Sequence, residues 1–163
     1  MCAESRSPAK GVTVTQCCKE DLPEVQATLE TASEAAAWSA EGLTGIYEQH
    51  TSCFLLARQD EQIVGVISGR EIMDQGEILN LAVIPKYRRQ GVARMLVQAL
   101  LEVFRREHVV EVFLEVRESN GTAIAFYESL GFGEVGRRPR YYQNPEEAAL
   151  VLKIPTYIPS RAG

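Results

Sequence analysis

Between a strand end and a helix start the chain reads Ala82-Val83-Ile84-Pro85-Lys86-Tyr87-Arg88-Arg89-Gln90-Gly91-Val92-Ala93, followed by Arg94. The first backbone N–H groups of a helix lack partners and its dipole favours an anion, so such a junction is a seat for phosphate. Gly91 and Ala93 are small enough to let a ligand approach the main chain. Arg88, Arg89 and Arg94 supply positive charge that a diphosphate can use. The plainer alternative is a glycine-eased turn flanked by solvated arginines. Neither GxxxxGK[ST] nor GxGxxG occurs, so the stretch is neither a P-loop nor a dinucleotide-binding turn.

A second group of residues lies downstream. Glu115 interrupts an apolar strand, with Val112-Phe113-Leu114 before it and Val116 after it. Partial burial raises the pKa of a carboxylate and makes it a better general base, whereas a strand-end carboxylate simply pairs with Arg117 or water. Tyr127 falls on the following helix, where position alone reads as core more often than as catalytic. Asn120 stands just before that helix, where an N-cap is the ordinary role. With only His50 and His108 a three-histidine zinc site is impossible, and both read as solvated loop positions. Cys2, Cys17, Cys18 and Cys53 form no CxxC pair, which suggests reduced thiols, no metal and a cytoplasmic protein.

The elements that must position these groups follow from periodicity. Val12 to Thr15 alternates as a strand, and a helix is expected from about Leu22 to Ala37 with Asp21 as N-cap and Pro23 in its first turn. A short helix follows Ser39. Cys53 to Arg58, Ile63 to Gly69 and Glu77 to Val83 read as a strand meander. Val92, Met95, Leu96, Ala99, Leu100, Val103 and Phe104 recur every three or four residues and predict one long helix ending near Glu107. Val109 to Val116 is strand-like, Thr122 to Leu130 helical with Gly131 as its stop, and Phe132 to Gly136 and Ala148 to Ile154 are the closing strands. A crossover from about 83 to 109 makes one parallel pair within an otherwise antiparallel sheet. The expected class is α+β, a mixed sheet of six to seven strands with about four helices. One domain is expected over 12–154, with tails at 1–11 and 155–163.

Composition narrows the function. A chain of 163 residues with net charge −5 and pI near 5.2 lacks the Lys and Arg surplus of a broad nucleic-acid surface. Its acidity suits a basic substrate. No apolar run is long enough to cross a membrane as a helix, and the first eleven residues lack a signal-peptide core.

Arg88-x-x-Gly91-x-Ala93 after a strand resembles the Q/R-x-x-G-x-G/A signature of the GCN5-related N-acetyltransferases. Leu114-Glu115-Val116-Arg117-Glu118-Ser119-Asn120 with Ala125-Phe126-Tyr127-Glu128-Ser129-Leu130-Gly131-Phe132 is similar to the bacterial ribosomal-protein alanine N-acetyltransferases. The resemblance is dense over 77–142 and thinner back to residue 12. It implies acetyl-CoA as donor, with Leu81, Ala82 and Val83 facing pantetheine through their backbone. Arg88, Arg89, Gln90, Gly91, Val92, Ala93 and Arg94 would hold the diphosphate, and Asn120 and Tyr127 the acyl end. Glu115 falls on the family's general base and Tyr127 on its proton-donating tyrosine. An unperturbed phenol near pKa ~10 gives its proton to a thiolate near ~8.5 only uphill, so Tyr127 either donates or merely holds the sulfur. Trp38-Ser39 matches a step that shapes the peptide side in that family, although Ala37 replaces the usual proline; Trp38 is equally a core anchor. Arg137-Arg138-Pro139-Arg140-Tyr141-Tyr142 lies where the family has an Arg-rich loop, with Tyr141 or Tyr142 lining the acceptor pocket or packing at a hairpin. The implied acceptor is the N-terminal amine of a ribosomal protein. Such an amine, with a pKa near 7.7 to 8.0, is far more often neutral at pH 7 than lysine near 10.4. A small-molecule amine, or acyl-CoA sensing without transfer, are the alternatives.

Overall fold

The structure is a computed structural model and describes residues 10–32 and 37–157. Its strands are β1 (Val12–Gln16), β2 (Ser52–Gln59), β3 (Gln62–Ile72), β4 (Gln75–Val83), β5 (Glu111–Arg117), β6 (Gly133–Tyr142) and β7 (Glu147–Pro155). The α-helices are α1 (Leu22–Glu30), α2 (Ala40–Tyr47), α3 (Val92–Arg106) and α4 (Gly121–Ser129), with single 3-10 turns at Lys19–Asp21 and Pro85–Tyr87. The seven strands hydrogen-bond in the order β1-β2-β3-β4-β5-β7-β6, and β4 pairs β5 in parallel through Gln75↔Glu111, Gly76↔Val112 and Glu77↔Phe113. This is the expected mixed α+β sheet.

Two compact units are distinguished, Met1–Arg70 with Leu79–Val103, and Glu71–Ile78 with Phe104–Gly163. In the first, Leu22, Val25 and Leu29 of α1 and Leu43 of α2 bury against Phe54, Leu56, Ile63, Val66 and Ala82. β3 is buried at every position from Ile63 to Gly69, as a strand covered on both faces must be. Helix α3 approaches that strand closely: a Cβ on Gly65 would lie 3.1 Å from Leu96 Cδ1 and 3.2 Å from Val92 Cγ1. Its buried line is Val92, Leu96, Val97, Leu100 and Phe104, so Val97 replaces Met95, Ala99 and Val103 among the fully buried positions expected from the sequence.

In the second unit β5 alternates, with Val112, Leu114 and Val116 buried and Glu111, Phe113, Glu115 and Arg117 half-buried on the other face. That alternation aims Glu115 away from the apolar core. β5 pairs antiparallel with β7, placing Glu115 opposite Val151 and Arg117 opposite Ala149. β7 pairs in turn with β6, placing Arg138 opposite Ala149.

Four boundaries differ from expectation. Helix α1 stops at Glu30 and Ala37 is not helical, while 33–36 lie outside the described residues. Asp21 does not cap α1: it has helical φ and ψ, and its carboxylate accepts from Cys18 N–H at 2.8 Å, closing the preceding 3-10 turn. β5 begins at Glu111, after Val109 and Val110 have left the helix. β6 runs on to Tyr142, so the Arg-rich stretch expected as a loop is largely extended strand.

Candidate active site

In the first unit, the strand-to-helix junction is built by short local bonds. Tyr87 N–H donates to Ile84 C=O, and Arg88 Nε donates to Val83 C=O at 3.1 Å, folding the arginine back over the strand end. Gln90 Nε2 reaches Lys86 C=O at 3.1 Å. Arg89 and Gly91 both take positive φ, 61° and 84°, which turns the chain into α3. The first helical bond runs from Met95 N–H to Gly91 C=O, leaving the backbone N–H groups of Val92 and Ala93 at the open helix end. A Cβ built on Gly91 meets nothing within 4 Å, so the space beside this backbone is open. Arg88, Arg89 and Gln90 are exposed and Arg94 is half-buried. At the end of β4, Ala82 and Val83 are buried and Leu81 half-buried. Their contribution to a ligand is therefore limited to backbone groups, and the Val83 carbonyl already serves Arg88.

Trp38, also in this unit, packs on the core cluster, its ring 6.4 Å from that of Phe54, and its carbonyl accepts from Gln26 Nε2 at 2.7 Å. These contacts anchor one side of the half-buried ring in the core.

In the second unit a cluster of charged and aromatic side chains surrounds Glu115. Its Oε1 lies 2.9 Å from Arg138 Nε, and Tyr141 is the tyrosine whose titration it governs. The negative carboxylate, with burial second, pushes the Tyr141 hydroxyl up to about 12, so it stays protonated at any working pH. Arg117, the partner weighed for Glu115 from the sequence, is occupied elsewhere. It pairs with Glu147 at 3.3 Å, and its guanidinium stacks over Tyr142 at 4.2 Å. The two adjacent tyrosines are thereby separated in role: Tyr141 joins the Glu115 carboxylate, and Tyr142, half-buried, packs under Arg117. Glu147 also accepts from Ser119 N–H, and these bonds hold its carboxyl below the usual range.

Tyr127 is buried at 8% exposure on α4, edge-on to Phe126 at 5.1 Å and to Phe132 at 5.3 Å. Burial pushes its phenol well above the ordinary value near 10. It is a neutral hydroxyl, able to donate a hydrogen bond and reluctant to release the proton altogether. Asn120 caps α4, its Oδ1 accepting from Ala123 N–H at 3.1 Å. The cap occupies one lone pair of the side-chain carbonyl and leaves the amide donors free to face a ligand.

A cavity of about 400 Å³ is lined by Glu118, Arg137, Pro139, Arg140, Glu146, Glu147 and Ala148. Its charges are largely matched internally, with Arg137 gripping Glu118 through two bonds of 2.8 and 3.0 Å and Arg140 3.2 Å from Glu146. It includes neither Glu115 nor Tyr127. Sequence reasoning missed Arg138 and Glu147 as partners of the site's charged residues. The available signal was the run of arginines from Arg137 to Arg140, but choosing among them requires the strand register.

The family model for the acetyltransferase (GNAT) family matches residues 19–132. The [Ribosomal protein bS18]-alanine N-acetyltransferase of Salmonella typhimurium (strain LT2) is 34% identical over 138 residues, covering 83% of this chain and 91% of the relative. The crystal structure of the ribosomal-protein-S18-alanine N-acetyltransferase from Escherichia coli superposes with a TM-score of 0.81 at 28% identity, covering 93% of this chain and 98% of that one. Arabidopsis thaliana NAA60 in complex with acetyl-CoA shares the fold, with a TM-score of 0.80 at 17% identity over 88% of this chain and 98% of that one.

Proposed function

The chain belongs to the acetyltransferase (GNAT) family, and on that premise we propose that it moves the acetyl group of acetyl-CoA to the N-terminal α-amine of a protein, the alanine terminus of a ribosomal protein. The observation that carries the acceptor half is the Glu115 carboxylate, half-buried and paired to a cation at 2.9 Å. A carboxylate so furnished is already a binding site for a positively charged nitrogen.

In this reading the acceptor arrives as an ammonium, and Glu115 takes its proton directly or through one water. The freed amine attacks the thioester carbonyl. Tyr127, kept neutral by burial, donates a hydrogen bond to the sulfur as the C–S bond breaks, and the second proton shed by the attacking nitrogen ends on the thiolate or in water. The donor's diphosphate fits the junction before α3, where Gly91 leaves open space beside the backbone and the helix end offers N–H groups. Arg89, Arg94 and the outer face of Arg88 supply the balancing charge, Val92 and Ala93 their N–H groups, and Leu81, Ala82 and Val83 backbone contacts to pantetheine. An N-terminal amine suits this base, because removing its proton near neutral pH is about 3.5 kcal/mol easier than for lysine.

Fragment-ion mass spectrometry on a peptide beginning Ala-Arg and carrying an internal lysine tests the assignment. Acetyl on the α-amine alone is the expected product. Acetyl on the lysine side chain, or transfer only to polyamines, would overturn it.

A further inference from the structure

Among the arginines around Glu115, one is held differently from the others. Arg117 is fixed between Glu147 and the Tyr142 ring, and Arg137 is clamped by both oxygens of Glu118. Arg138 touches Glu115 through Nε, lies 5.8 Å from the Tyr141 ring, and its side chain is 60% exposed against 16% for Glu115. To make this contact it reaches from β6 across β7 to β5, at least two strand spacings or roughly 9 to 10 Å, and diagonally. On β7, Ala149 lies opposite both Arg138 and Arg117, whereas Glu115 is opposite Val151, so the side chain passes over the small Ala149 and turns along β5 to the carboxylate.

We propose that Arg138 keeps the acceptor's place: its guanidinium sits where the incoming ammonium docks, and acceptor binding exchanges one cation for another at Glu115. This rests on the reading of Glu115 as the base. The half-buried carboxylate is never left unpaired, which is the costly state for such a group. The exchange conserves charge at the site, and the departing guanidinium returns to water, where it already mostly lies. Tyr141, whose ring lies 5.8 Å from the Arg138 guanidinium, stays neutral throughout, so the exchange changes no other charge beside the carboxylate. The ammonium has a proton to give and the guanidinium does not at any working pH, so only the exchanged state proceeds. Once the proton has moved, R–NH3+ and carboxylate have become R–NH2 and carboxylic acid. The neutral acid then has little attraction for Arg138, which stays out of the way of the attacking nitrogen. Arg138 is on this account a positioning residue that competes with substrate.

The test measures acceptor KM and kcat by thiol release for the whole protein, using a peptide beginning Ala-Arg, with Arg138→Met and Arg138→Lys. Arg138→Met removes the competitor and should lower KM about two- to five-fold, the range expected for an exposed ion pair, with the gain in KM and not in kcat. Arg138→Lys restores a cation and should return KM toward the wild-type value. Methylguanidinium added to Arg138→Met should inhibit competitively against the peptide by refilling the vacated place. A raised KM in Arg138→Met would make Arg138 a substrate contact. A loss confined to kcat, or no competition from methylguanidinium, would equally overturn the exchange. Absence of transfer to any amine by the wild-type protein would instead sink the acetyltransferase reading of Glu115, and the exchange with it.

Discussion

Replacing Glu115 by Gln keeps the size of the side chain and removes the proposed proton acceptor, so it separates shape from catalysis. Turnover at neutral pH should fall about 100- to 10,000-fold while the dissociation constant for acetyl-CoA stays within about two-fold, read by thiol release and by calorimetry. Wild-type turnover across pH 6 to 9 would remove Glu115 as the base. Tyr127→Phe deletes only a hydroxyl from a packed ring, and loss of a hydrogen bond to a charged sulfur predicts a kcat about 10- to 100-fold lower with little change in acceptor KM. Glu115 stood out in the sequence because an acid interrupts an apolar strand, and Tyr127 because of what surrounds it in the motif. Arg138 did not, for a physical reason: its pairing depends on β5, β7 and β6 being neighbours in a set register, which no local pattern encodes. The same register decides which tyrosine serves the carboxylate and which serves Arg117.

At the scale of elements, the junction before α3 makes a prediction that divides backbone strain from charge. Gly91 has φ of 84° and open space beside it, so Gly91→Ala costs about 1 to 2 kcal/mol of stability through the backbone alone and should weaken acetyl-CoA binding only modestly. Gly91→Glu adds a negative charge where the diphosphate is proposed to sit and should abolish binding. Equal affinity in the two variants would refute the phosphate seat. A purely structural counterpart is Gly76 on β4, where a Cβ would lie 2.9 Å from two Phe104 ring atoms and 3.2 Å from Val112 Cγ2. Gly76→Ala should therefore cost about 1 to 3 kcal/mol by overpacking, a fall in melting temperature of roughly 2 to 4 °C per kcal/mol. The long helix, the β2–β3 hairpin and the α4 cap were legible because periodicity and turn chemistry are local. The end of α1 and the length of β6 were not. Thr31 donates its hydroxyl to Thr28 C=O at the end of α1, and β6 pairs with β7 at Arg137 and Arg138 and again at Tyr142, on either side of an irregularity over 139–141, where a loop is read from the arginines and proline. Asp21 was misread because its carboxylate is taken by Cys18 N–H and by Arg58, 2.6 Å away.

For the molecule as a whole, the titrating groups set the pH range of stability. Asp21 is held below the usual carboxylate value, first by the Cys18 N–H bond and then by Arg58. Its contribution is present above the unfolded value near pH 4 and is lost as pH falls through the lower folded value. Burial pushes the Cys17 thiol up to about 12 and raises the Tyr127 phenol, so their contributions are complete below the unfolded values near 9 and 10 and are lost as pH rises through the folded ones. Thermal melts should show a plateau with an alkaline fall above about pH 9, and Tyr127→Phe should make that fall shallower; an unchanged alkaline limb would contradict buried ionisation. The α+β class and the parallel crossover were both readable from periodicity, and the net charge of −5 agrees with a basic acceptor. The central claim is the identity of the acceptor nitrogen. Thiol release from acetyl-CoA should be measured with a peptide beginning Ala-Arg, the same peptide with a blocked N-terminus and a free lysine, and a set of polyamines. Release with the free N-terminus alone is the predicted result. Release with the blocked peptide or with polyamines, and none with the free N-terminus, would contradict it.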